Sequence, residues 1–196
     1  MKILFASNNI HKIKEVKSIL INLKDIEILS PSDFGLKTNI AETGSSLEEN
    51  ALIKAKSIYN LLGIPALADD TGLFVNALDG EPGVHSARYA GENSDYEKNN
   101  LKLLKLLNSV KEEKRIAHFK TVLCLYKSKN EYNFFEGICE GKILARSKGS
   151  NGFGYDSLFL PSGSILTFAE MSELQKNDIS HRRKSLEKLK NHLLKK

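Results

Sequence analysis

The chain of 196 residues is 41% hydrophobic and 27% charged, ordinary proportions for a soluble globular protein of one domain, or one domain with two lobes. A chain of this size buries a full core without disulfide or metal staples, and no stretch is apolar for long enough to span a bilayer, which excludes a membrane partner. The formal net charge of +5 favours anionic partners; nucleic acid, free nucleotides and a merely lysine-rich wet surface all stay open.

In chain order, Lys2 to Ala6 is a short apolar run that reads as a buried strand. It is too short for the core of a signal peptide. Ser7, Asn8 and Asn9 then turn the chain into a helix from about His11, on which Ile13, Val16, Ile19, Leu20 and Leu23 recur at helical spacing. A second strand is expected over Ile26 to Leu29, ended by Pro31. Ser46-Leu47-Glu48-Glu49 has the spacing of a capping box and opens a helix to Leu62, stopped at Gly63 ahead of Pro65. Ala66 to Ala68 and Leu73 to Leu78 are apolar segments on either side of Asp69-Asp70-Thr71-Gly72. Ser94-Asp95-Tyr96-Glu97 repeats the capping pattern and starts a helix through Leu107. Ile116 to Tyr126 and Tyr132 to Cys139 read as strands joined by a turn over Ser128 to Glu131. A last helix is expected over Ile179 to Leu194, with Ile179, Leu186, Leu189 and Leu193 on one face and the lysines of the 184–196 tail on its wet side. Early βα units followed by a hairpin argue for an α/β protein with a mixed sheet, organised as a single domain over residues 1–196. Cys124 and Cys139 lie in apolar runs and form no CxxC pair, so they read as buried free thiols, which suits a reducing, cytoplasmic location.

Four segments carry polar residues that core or surface logic does not explain. Ser7-Asn8-Asn9-Ile10-His11-Lys12 sits between a strand and a helix, where backbone N–H groups and the Lys12 ammonium favour an anion. It is not a P-loop, and an asparagine-rich cap is the plainer alternative. Asp69 and Asp70 stand together between apolar segments, and buried carboxylates need a cation, hydrogen-bond donors or water. Mg2+ takes such oxygen ligands together with substrate phosphates; an exposed Asp-Asp turn ahead of Gly72 is the alternative. Gly149-Ser150-Asn151-Gly152-Phe153-Gly154-Tyr155-Asp156 combines glycines that allow close backbone approach with two aromatic rings able to stack on a base, or is a flexible surface loop. Lys176-Asn177-Asp178-Ile179-Ser180-His181-Arg182-Arg183 crowds donors at the start of the last helix, or presents ordinary solvated side chains.

Taken together and in this order, the segments resemble the inosine triphosphate pyrophosphatase family, also called XTP/dITP diphosphatases. The resemblance covers essentially the whole chain, through Glu42-Thr43-Gly44, Glu49-Asn50-Ala51, Lys54-Ala55, Pro82-Gly83 and Ser86-Ala87-Arg88-Tyr89 as well as the four segments above. It implies a two-lobed α/β fold around a long mixed sheet, an active site in the cleft between lobes, and a homodimer. It also implies Mg2+-dependent hydrolysis of ITP, dITP or XTP to the monophosphate and pyrophosphate, which keeps these nucleotides out of DNA and RNA. Carried over by position, Ser7, Asn8, Asn9, Ile10, His11 and Lys12 would hold phosphates, with Lys54 offsetting further charge. Asp70 would be the proton acceptor and a metal ligand, with Asp69 and Glu42 also on the metal. Thr71, Phe153, Gly154, Tyr155, Asp156, Lys176, His181 and Arg182 would contact substrate. Asn151 stands where the family often has glycine, and Thr71 where serine is common; both keep the chemistry.

Two other readings compete. A related Maf-like pyrophosphatase would share the carboxylates and differ in the modified base it accepts. A basic nucleic-acid-binding module would account for a sequence pI near 9.0 but not for Asp69-Asp70, and neither a zinc-finger nor an RRM signature is present; no stable nucleic-acid partner is expected.

Overall fold

A computed structural model describes the chain with the exception of Asn22, Lys24, Thr38, Asn93, Ser94 and Lys196. Ile3, Leu4 and Phe5 of β1 (Lys2–Phe5) are all fully buried, as in a strand covered on both faces. β1 pairs in parallel with β2 (Glu27–Leu29), Lys2 opposite Glu27, and with β3 (Ala66–Val75), Leu4 opposite Ala66. Between β1 and β2 runs α1 (Ile10–Leu20), whose apolar period places Val16, Ile19 and Leu20 in the core. α2 (Leu47–Leu62) precedes β3. The Ser46 hydroxyl accepts from the Glu49 N–H at its start, and Gly63 closes it in the left-handed region at φ 67°, a conformation that costs glycine little.

The remaining strands are β4 (Pro82–Gly83), β5 (Ile116–Ser128), β6 (Glu131–Ile143) and β7 (Phe159–Pro161). The sheet order is β2-β1-β3-β5-β6-β7, with β4 antiparallel on β3 and β7 antiparallel on β6. Parallel and antiparallel pairs in one sheet, with α3 (Tyr96–Leu106), α4 (Glu173–Ile179) and α5 (His181–Leu194) completing the helices, give the mixed α/β architecture expected from the sequence.

The chain forms two compact units. The first comprises Met1–Asp70, Thr121–Gly137 and Arg182–Lys196; the second comprises Thr71–Lys120 and Ile138–His181. Each has its own core. Ile3, Phe5, Val16, Leu67, Leu123 and Leu189 anchor the first, and Leu73, Leu103, Phe119, Phe159 and Phe168 the second. Among the described residues no helix is long and apolar enough to cross a membrane.

Three local expectations change. Asp69-Asp70-Thr71-Gly72 is not a turn between two segments but the middle of β3, which runs unbroken from Ala66 to Val75. The capping box at α2 is half formed: the Glu49 carboxylate bonds the Ser45 N–H and hydroxyl. The last helix, α5, starts at His181 rather than Ile179, and Ile179 instead ends a separate helix, α4, divided from α5 by Ser180, whose ψ of 155° is extended. Ile179 therefore packs on the second core while Leu186, Leu189 and Leu193 pack on the first; their spacing continues across a one-residue break, which periodicity alone does not register. Ser94 lies outside the described residues, and the cap of α3 is Asp95, which accepts from the Lys98 N–H.

Both cysteines are buried and free, as expected. Burial pushes the Cys124 thiol up to about 12, so it stays protonated and unreactive near neutrality. Iodoacetamide at pH 8 should leave Cys124 unmodified in the folded protein and alkylate it in urea, as read by peptide mass; rapid native labelling would show that β5 opens. Replacing Ser46 by Ala should cost about 1 kcal/mol in denaturant unfolding.

Candidate active site

The buried stripe of α2 contains Leu47, Asn50, Ala51, Lys54, Ala55 and Ile58. Two of these are polar and lie one helical turn apart, so both require partners inside. Lys54 Nζ donates to Asp70 Oδ1 at 2.8 Å and to Glu42 Oε1 at 2.8 Å. Asn50 Nδ2 donates to Asp70 Oδ2 at 3.2 Å, while its own Oδ1 accepts from the Gly44 N–H at 2.8 Å and so fixes the segment next to Glu42.

Asp69 precedes Asp70 on the same strand, and successive strand residues point to opposite faces. Its partners accordingly come from other helices. Lys12 of α1 lies 3.1 Å from Oδ1 and 3.0 Å from Oδ2, and Arg182 of α5 donates to Oδ2 at 3.0 Å. The other guanidinium nitrogen of Arg182 pairs with Glu15, on the same turn of α1 as Lys12. Asp69, Asp70 and Arg182 are 2%, 6% and 1% exposed, so these are buried charges compensated by one another rather than by water.

The two carboxyls consequently differ. Burial drives both upward. At Asp69 it is overcome by Lys12, Arg182 and Lys54, which hold that carboxyl well below the usual carboxylate range. At Asp70 burial, reinforced by the Glu42 charge, prevails over Lys54 and leaves the carboxyl raised. Burial also works against the Lys54 ammonium, but Asp70, Asp69 and Glu42 outweigh it and Lys54 is raised. Of the two, Asp69 is held the more firmly as an anion.

The turn ahead of α1 is built around its own cap. Asn9 Oδ1 accepts from the N–H groups of His11 and Lys12 at 3.0 and 3.3 Å, and Ser7 Oγ accepts from the Asn9 N–H at 3.1 Å. Two of the helix N-terminal donors are thus occupied by Asn9 itself. Asn8, Ile10 and His11 are exposed in this turn, and Ser7, Asn9 and Lys12 are half-buried.

The second unit gathers most of the remaining candidates. Asp156 Oδ2 accepts from the Phe153 N–H at 2.9 Å and from Lys176 Nζ at 2.8 Å. A Cβ at Gly152 would stand 2.1 Å from that same oxygen, so the carboxylate reaches its seat only because position 152 has no side chain. Lys176 Nζ lies 4.8 Å from the Phe153 ring centroid and 5.5 Å from that of Phe168. The Tyr155 hydroxyl donates to the Ser86 carbonyl at 2.9 Å. His181 stacks on Phe119 at 4.7 Å and leans on Phe168 at 6.1 Å. Thr71 follows Asp70 in β3 and is half-buried. Glu42, Lys54, Asp69, Asp70, Lys12 and Arg182 come together in the first unit, and Phe153, Gly154, Tyr155, Asp156, Lys176 and His181 belong to the second.

Sequence reasoning gave no role to Glu15, Asn50, Phe119 or Phe168. Asn50 carried a usable signal, being polar on an apolar stripe four residues before Lys54; Glu15 lies three residues after Lys12, on its helical face. The two phenylalanines read as ordinary core.

Comparison with known proteins finds relatives along the whole chain. A family model described as the Ham1 family matches residues 3–192. A dITP/XTP pyrophosphatase of Thermoanaerobacter pseudethanolicus is 49% identical over 195 residues, covering 100% of this chain and 98% of the relative. One of Elusimicrobium minutum is 51% identical, with 96% and 98% covered. A solved HAM1 protein from Coxiella burnetii superimposes with a TM-score of 0.91 at 38% identity, covering 100% of both chains.

Asp69→Asn takes the carboxylate from Lys12 and leaves the buried Arg182 with Glu15 alone, so it should lower stability by about 3–5 kcal/mol. Asp70→Asn should cost far less, because burial already disfavours its charge and Lys54 keeps Glu42. Equal losses in denaturant unfolding of the two variants would refute this division.

Proposed function

The chain belongs to the Ham1 family, and from that premise we propose that it hydrolyses non-standard purine nucleoside triphosphates (ITP, dITP and XTP) to the monophosphate and pyrophosphate, with Mg2+ as cofactor. Removing these nucleotides keeps them from incorporation into DNA and RNA. The observation that supports the reading best is the unequal acid pair, with Asp69 locked as an anion by Lys12 and Arg182 and Asp70 raised beside Lys54 and Glu42.

The donor set suits Mg2+. Asp70 and Glu42 meet on one ammonium and offer only carboxylate oxygens, and Mg2+ is commonly held by one or two carboxylates with water and phosphate completing its shell. Among the described residues no group of three or more His, Cys, Asp or Glu side chains is placed to hold a metal ion, so substrate oxygens and water must supply the other ligands. Asp70, Asp69 and Glu42 would hold the ion directly or through water, because protein donors already bond Asp69 and Asp70 on both oxygens. When bound, the ion supplies charge neutralisation on the polyphosphate.

The chain's own residues then do the following. Asp70 orients a water toward the α-phosphorus and accepts its proton as the new P–O bond forms. The bond from the α-phosphorus to its bridging oxygen breaks, and pyrophosphate leaves with the electron pair. Lys12 and Lys54 balance the phosphate charge that accumulates. A free aspartate is a weak base, with a pKa of about 3.9, so positioning of water is the larger contribution of Asp70.

Base choice falls to the second unit. Hypoxanthine and xanthine present an O6 acceptor where adenine presents an amino donor, so a fixed donor favours ITP over ATP. Rejecting GTP requires that its 2-amino group clash or stay unpaired. Phe153 and the backbone around Gly154 to Asp156 form the stacking and hydrogen-bonding surface for this, with Lys176 and His181 beside them. Both terminal nitrogens of the Arg182 guanidinium are committed to carboxylates, so its side chain braces Asp69, and its contact with substrate would come from the backbone at the start of α5, where N–H groups lack intrahelical acceptors. A homodimer and a cytoplasmic location, the latter supported by two free buried thiols, complete the proposal.

Pyrophosphate release across ITP, XTP, dITP, GTP and ATP, with and without Mg2+, tests it. The first three should be cleaved in preference and only with the ion. Asp70→Asn should lose about 100-fold or more in turnover while remaining folded by circular dichroism. Near-normal turnover in that variant, or equal cleavage of all five nucleotides, would reject the assignment.

A further inference from the structure

The segment Gly152–Asp156 is held from within by Asp156 and from the side by Tyr155, but a third support comes from α3. Asn100 Nδ2 donates to the Gly154 carbonyl at 3.1 Å. One turn earlier on the same face, the Tyr96 ring lies 6.2 Å from the Phe153 ring at a tilt of 40°. α3 is itself firmly seated. Leu103 belongs to the second core, and Asn99 accepts from the Ala90 N–H at 2.6 Å while donating to the Ala87 carbonyl at 3.1 Å. Asn99 therefore fixes the helix, and its neighbour Asn100 passes that fixity to the loop.

The chemistry of Asn100 argues that this is more than packing. Its Oδ1 is buried and no described residue donates to it. A buried amide with an unused acceptor is unfavourable for stability, and a leucine of similar volume would avoid the penalty. What leucine lacks is the donor that orients Gly154. Tyr96, at 41% exposure, likewise gains little by burial; its ring lies against that of Phe153.

The geometry points to Asn100 and Tyr96 as positioning residues for base selection, acting through the Gly154 carbonyl and the Phe153 ring rather than on the reacting phosphate. This rests on the reading of Phe153 to Asp156 as the base-contacting surface. A rigid loop binds without first being ordered, so its loss falls on affinity and discrimination. Chemistry at Asp70 is left intact, because Asp70 is held by Asn50 and Lys54 of α2.

Steady-state kinetics of Asn100→Leu with ITP and GTP, alongside denaturant unfolding, provide the test. KM for ITP should rise about three- to tenfold, the worth of one neutral hydrogen bond, with kcat within about twofold. The ITP-over-GTP preference in kcat/KM should fall by a similar factor, while the unfolding midpoint stays or rises. An unchanged KM and preference, or a fall in kcat alone, overturns the inference. If Asn100→Leu does not fold, Tyr96→Leu, at an exposed site, decides by the same KM and preference. Phe153→Ala in the same series separates the two levels. If it too leaves KM unchanged, the base-surface reading fails and takes this inference with it; if it raises KM while the α3 variants stay silent, only this inference fails.

Discussion

Two carboxylates side by side on a buried strand are untenable unless each finds its own cation, and the first unit is arranged around meeting that demand. The alternation of a β-strand sends Asp69 and Asp70 to opposite faces. One therefore draws on α1 and α5, the other on α2. Since Lys12 comes from near the beginning of the chain and Arg182 from near its end, the Asp69 anion ties together stretches that sequence keeps far apart. The ion network thus also fastens two of the three separate segments from which the unit is assembled.

The same arrangement separates two electrostatic tasks. A carboxylate shared by a buried guanidinium and a half-buried ammonium is fixed in charge and geometry and gains little by moving. A carboxylate facing one lysine that is itself shared with Glu42 is less committed, and its proton affinity is open to change with the charges around it. Consecutive residues of a single strand thus carry one fixed carboxyl and one less constrained. The cost is desolvation of several charges, offset by short, well-directed bonds at 2.8 to 3.2 Å.

Much of the fold was legible because its signals are local. The apolar run of β1, the Ser46 cap, the Gly63 stop and the apolar stripes of α1 and α2 each state their structure within a few residues. The acid pair was legible as an oddity, polar where its neighbours are apolar. What escaped was nonlocal or too brief. β4 and β7 are two and three residues long and exist only through pairing. The break at Ser180 hides within a continuous heptad-like spacing. The partners of Arg182 could not be read from a segment that looked like a solvated helix start, because Asp69 lies 113 positions away. The roles proposed for individual loop residues rest on resemblance to a family, since glycine and aromatic content alone also describes an idle surface loop.

The stripe on α2 has a consequence for how this protein can vary. Lys54 and Asn50 share their helical face with Ala51, Ala55 and Ile58, so the residues that hold Asp70 and those that build the core keep a common angular phase set at Ser46. Each inserted or deleted residue between Ser46 and Lys54 would rotate everything beyond it by about 100°, withdrawing the ammonium and turning the alanines toward solvent together. Length changes in this part of the chain are therefore confined to the helix's far end, near the exposed Leu61, whereas point substitutions on its outer side are free to drift. Lineages of such a protein should diverge in the letters of this helix while conserving its count.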